Sequence, residues 1–154
     1  MNVRRAPRVT GMRGISIIVA LTLCSACFQS SDEVARVRSP NGSTDAVLVE
    51  SNGGATVSFG YQIFLTQAGG STIWDTEVAG LYGAIRSDSA YGVNLRWPSN
   101  DSLRIEFLRA QAVNKFVPAV RIHRQTIFVS LDSGIGDPRA PSGGMLWNLH
   151  TSHQ

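Results

Sequence analysis

The chain has 154 residues with 14 basic and 11 acidic side chains, yet the basic excess lies in its leader, because ten basic residues face eleven acidic ones after Cys27. A near-neutral remainder leaves no excess of positive charge to argue for nucleic-acid binding, which needs a basic face or stripe. The absence of cysteine after Cys27 excludes an internal disulfide there, and the roughly 115 residues beyond the first 38 suffice for one small core and no more.

The first 26 residues read as a signal segment. Arg4, Arg5, Arg8 and Arg13 form a basic start without an acid, and Ile15 to Leu23 is an apolar run closed by Cys24-Ser25-Ala26-Cys27. That pattern fits export, since a spanning helix needs roughly twenty apolar residues; an uncleaved anchor is the other outcome. Ser25-Ala26-Cys27 resembles the lipobox of bacterial lipoproteins, with Cys24 standing where those leaders usually carry Leu. The resemblance implies that Cys27 becomes the acylated N-terminus and anchors the protein to the cell envelope, facing the periplasm. Phe28, where such lipoproteins of the inner membrane tend to carry Asp, favours the outer membrane, and secretion is the alternative. Cys24 and Cys27 also spell C-x-x-C, but no second pair or nearby histidine completes a redox or metal site, and no cofactor is expected.

Gln29 to Arg38 is polar and mixed in charge, which predicts that residues 27–38 form a lipid-anchored tether ending in a short strand around Val34 to Val37. A β domain is expected over residues 39–131. Ser39-Pro40-Asn41-Gly42 is a turn, Ala46 to Val49 a strand, and Ser51-Asn52-Gly53-Gly54 a reversal. Val57, Phe59, Tyr61, Ile63 and Leu65 then fall at every second position, so one face of a second strand is buried. Phe64 projects from the other, polar face; it either meets a second layer or marks an exposed contact patch.

After Ala68-Gly69-Gly70-Ser71, the run VAGLYGAI carries two glycines and fits neither helix nor strand well. Val93 to Trp97 and Leu103 to Phe107 alternate about a Pro98-Ser99-Asn100-Asp101 turn, which predicts a second hairpin. Val117 to Ile122 and Thr126 to Leu131 predict two further strands, joined at His123-Arg124-Gln125. Residues 132–154, rich in Gly, Pro and Ser, read as a flexible or loosely docked tail.

These hairpins resemble the blades of envelope β-propellers, although a propeller needs at least four blades. More specifically, Ser39-Pro40-Asn41-Gly42, Glu50, Asn52-Gly53-Gly54-Ala55-Thr56 and Phe59-Gly60-Tyr61 resemble a pattern shared by short uncharacterised bacterial exported proteins. That resemblance implies no activity. The fold expected is mostly β, a small antiparallel meander or sandwich.

Few residues suit chemistry. His150 and His153 form an H-x-x-H pair without a third ligand, and Ser130, Asp132, Ser133 and His123 lack the G-x-S-x-G elbow of a hydrolase. Glu50, Asn52, Gly53 and Gly54 stand at a reversal where backbone amides could hold a ligand, and with Phe64 they are the expected contact residues for a ligand or an envelope partner. The function expected is therefore a non-enzymatic binding or structural module of the envelope. A secreted inhibitor, using residues 50–56 as its loop, is the alternative.

Overall fold

In a computed structural model, which describes residues 30–71 and 76–140, the chain is built from eleven strands without an α-helix among the described residues. A five-stranded sheet has the order β1-β2-β3-β4-β9 and a four-stranded sheet the order β10-β11-β8-β7. Their strands are β1 (Ser30–Arg38), β2 (Thr44–Asn52), β3 (Gly60–Gln67), β4 (Glu77–Tyr82), β7 (Val93–Ser99), β8 (Ser102–Phe107), β9 (Ala112–Phe116), β10 (Ala119–Ile122) and β11 (Gln125–Ser133). A two-stranded ribbon, β5 (Arg86–Ser87) and β6 (Ala90–Tyr91), completes the fold. The leader, Cys27 and both His150 and His153 lie outside the described residues.

Alternation explains the core. Ala46 and Leu48 of β2, Ile63 and Leu65 of β3, and Ala79 and Leu81 of β4 turn one way, and they meet Leu103, Ile105, Ile127 and Val129 from the opposite sheet. The sheets are therefore packed face to face, as the apolar inner face of each requires. Trp97, half-buried, donates its Nε1–H to the Val37 carbonyl at 2.9 Å and ties the edge strands β7 and β1 together.

Both predicted hairpins form: β2 pairs antiparallel with β3 across the reversal after Asn52. The predicted turn ahead of β2 joins it to β1 and is bound by side chains, with Ser39 Oγ accepting the Thr44 amide at 3.0 Å and Asn41 Oδ1 that of Ser43 at 3.1 Å. The second hairpin turns at Asn100-Asp101, pairing Ser99 with Ser102. The first five residues of VAGLYGAI belong to β4, and Gly80 sits close to the neighbouring strand: a Cβ there would lie 3.6 Å from Lys115 Cβ of β9.

Several boundaries differ from the sequence reading. The segment read as a tether is the edge strand β1, whose bulge between Glu33 and Ala35 turns Val34 into the core. The long strand starts at Gly60 rather than near Val57, which is 46% exposed on the preceding loop. At the end β11 continues through Ser133, and residues 134–140 dock through Ile135 N–H on Phe107 and Asp137 N–H on Ser89. The strand β9 was not foreseen at all. Nor was the parallel pairing of β11 with β8, Phe128 opposite Ser102 through Ser133 opposite Phe107, which departs from a pure meander.

The outer face of β2 carries Asp45, whose side chain is fully buried. Arg38 binds it at 2.8 and 3.2 Å, Arg36 at 3.3 Å and the Gly69 amide at 2.8 Å. The Arg38 hydrogen bond, with the Gly69 amide and Arg36, holds its carboxyl below the usual range, at about 2. A depressed folded-state value means stability that is present above the unfolded value near 4 and lost as pH falls toward 2. Because Arg38 is half exposed, the loss expected is about 1–2 kcal/mol. Urea unfolding between pH 5 and pH 2 should show this component vanish in Asp45→Asn.

Candidate functional site

Glu50 was expected at an exposed bend; it is buried. It continues the inward face set by Ala46 and Leu48, and the register places it opposite Tyr61 of β3. Its partner comes from the ribbon. Arg86, paired with Tyr91 across β5 and β6, donates from Nη1 to Glu50 Oε1 at 3.2 Å and from Nη2 to the Tyr91 hydroxyl. Its guanidinium lies 3.8 Å from the centroid of the Phe59 ring and 4.4 Å from that of Tyr91. Among the described residues this is the ion pair in which both side chains are buried, at 4% and 2% exposure.

The position of the ribbon is fixed by backbone bonds. Ile85 N–H donates to the Arg109 carbonyl and Gly92 N–H to that of Ile85. Gly92 has φ of +73°, and a Cβ there would sit 2.5 Å from the Tyr61 hydroxyl, so the ribbon passes directly over that buried ring.

Burial pushes the Glu50 carboxyl up, opposed by the charge of Arg86. Burial, joined by the Glu50 charge, raises the Tyr61 hydroxyl well beyond its ordinary value, so it stays protonated. Three buried atoms in this cluster make no hydrogen bond: Glu50 Oε2, Tyr61 OH and Arg86 Nε. Such atoms are uncommon in a closed core, where polar groups are normally paired.

An open cleft of about 570 Å³ adjoins the cluster, with Phe59, Ile85 and Arg86 among its lining residues. One wall is the loop of residues 53–59. Asn52 Oδ1 accepts the Gly54 amide at 2.9 Å, Ser58 N–H donates to the Tyr82 hydroxyl at 3.0 Å, and Gln111 Nε2 reaches Ser58 Oγ at 3.0 Å. Gly54 adopts φ of +100°, a conformation that side chains disfavour.

Of the expected contact residues, Asn52 and Gly54 line this cleft, and Gly53 lines an adjacent depression. The Gly54 amide is already taken by Asn52, so it is not free to hold an anion. Phe64 is fully buried on the outer face of β3, opposite Val47, and offers no exposed patch. His123 sits at the β10–β11 link while Asp132 pairs with Arg104 at 2.7 Å near the other end of β11, roughly 20 Å away along the strand. Ser130, Asp132 and His123 therefore form no hydrolase set. Among the described residues no three His, Cys, Asp or Glu side chains come together as metal ligands would.

Arg86 and Tyr91 were missed by sequence reasoning, and Phe59 and Tyr61 were read only as core. Arg86 is a lone cation after an apolar run, a weak signal, and its partner lies 36 positions earlier. The position of Glu50 had a better signal in the alternation of Ala46, Leu48 and Glu50. No family model, curated protein or solved structure matches the chain.

Proposed function

We propose that this chain is an exported, lipid-anchored binding module of the cell envelope, held to the membrane through Cys27. The observation that carries the binding role is the cleft beside the buried Glu50–Arg86 pair, where a rigid sandwich fixes a cation against a concave, partly apolar surface. Binding sites have this character, a few oriented polar groups on apolar walls. Its two charged groups pair with each other rather than standing as nucleophile and base, which favours a non-enzymatic role. The anchor rests on the leader and on Ser25-Ala26-Cys27. The second reading, a secreted inhibitor, draws on the protruding loop of residues 53–59 with its exposed Val57.

Intact mass and membrane fractionation of the chain beside its Cys27→Ser variant test the anchor. The expected result is a mature chain beginning at Cys27 with added acyl mass, found in membranes and released by the substitution. A chain cut elsewhere, unmodified and soluble, would remove the anchor and favour the inhibitor.

A further inference from the structure

We propose that the cleft lined by Arg86 binds a small carboxylate carried on an apolar body. The inference rests on the binding-module reading and gives it a ligand class. Arg86 is the one charged residue among those lining the cleft, and Glu50 does not line it. The guanidinium is buried at the wall of the cleft, held by Glu50 and Tyr91, and its Nε–H has no hydrogen-bond partner, so one donor of a charged group is left unspent. A charge-assisted hydrogen bond to a carboxylate oxygen would satisfy it.

The surroundings select the rest of the ligand. Val57, Phe59 and Ile85 supply apolar contact, while Asn52, Ser58 and Gln111 give the walls a polar margin. A single unspent cationic donor among apolar groups suits a carboxylate with a hydrophobic side chain better than a phosphate, which is usually met by several donors together. A volume of about 570 Å³ accommodates a molecule of amino-acid to dipeptide size. Arg86 is also oriented before any ligand arrives: Glu50, Tyr91 and the ring of Phe59 hold it, so little side-chain freedom is lost on binding.

The same chemistry occurs in a free hydrophobic acid and at the carboxyl end of a peptide. Titration of the purified chain by NMR with N-acetyl-L-leucine, its amide and the peptide N-acetyl-Gly-Gly-Leu separates these. The acid is expected to bind in about the millimolar range and the amide at least tenfold more weakly. Val57→Glu, at an exposed position on the cleft wall, is expected to weaken the acid at least tenfold without moving the unfolding midpoint. Tighter binding of the peptide would assign a chain end, and equal binding a free acid. Equal affinity for acid and amide, no saturation by either, or indifference to Val57→Glu would overturn the proposal. Those outcomes leave the anchor intact, because the Cys27→Ser fractionation reads it separately.

Discussion

Replacing Arg86 with methionine is expected to cost the fold about 3–5 kcal/mol, because the substitution leaves the Glu50 carboxylate buried without a partner. The loss comes from the stranded charge more than from the missing attraction. Removing both charges together, Glu50→Gln with Arg86→Met, should therefore recover at least half of it in urea unfolding at pH 7. The pH dependence has a definite sign. In the single variant burial acts on Glu50 without the opposing charge of Arg86 and raises its folded-state value further above the unfolded one. Protonation then stabilises the fold at low pH, and this contribution disappears as pH rises through the raised value. The deficit should be smaller at pH 4 than at pH 8. A double variant no better than the single one would show that the guanidinium acts mainly by filling space between Phe59 and Tyr91.

Gly92→Ala is expected to destabilise by about 2–4 kcal/mol, from a left-handed backbone that alanine disfavours and from overpacking against a rigid ring. The contact is severe because a Cβ would lie 2.5 Å from the Tyr61 hydroxyl and 2.7 Å from the ring carbon that bears it. Tyr61 is itself buried, so the ring cannot swing into solvent. Tyr61→Phe removes a hydroxyl that interacts with the Glu50 carboxylate but makes no hydrogen bond of good geometry, and by itself should change stability by less than about 1 kcal/mol. Combined with Gly92→Ala it should restore part of the loss, and thermal melts of the two single variants and the double variant measure that coupling. Strict additivity would mean that the backbone conformation, rather than the clash, sets the cost.

These two residues mark where sequence reasoning stops. The hairpins were legible because their determinants are local: the reversal after Asn52 and the Asn100-Asp101 turn join strands that alternate clearly, and Ser39 to Gly42 marks the turn ahead of β2. Strand β9 was not, since Ala112 to Phe116 is exposed along its whole length and carries no buried face to leave a period in the sequence. Phe64 misled in the opposite sense. The central strands β2 and β3 are buried on both faces, so an apolar residue on the face that reads as polar is structural. Glu50 was found as a residue of interest for the wrong reason, its nearness to two glycines. What matters is a cation brought from the ribbon by tertiary packing, and no local pattern announces such a pair.

The route of the chain between the sheets bears on how the molecule assembles. Strands β1 to β4 can form as a continuous meander from neighbouring segments, but β9 joins that sheet only after β7 and β8 have been laid down in the other one. Strand β11 then returns to lie parallel to β8, some 26 positions after the residues it meets. Both pairings close large loops before any contact repays the entropy, which places this fold among the slower-folding β architectures. Until they form, β4 and β8 each present a bare row of backbone donors and acceptors. A nascent chain that has emerged only as far as Phe107 holds two such open edges at once, and its hazard during synthesis is pairing with a neighbour rather than unravelling.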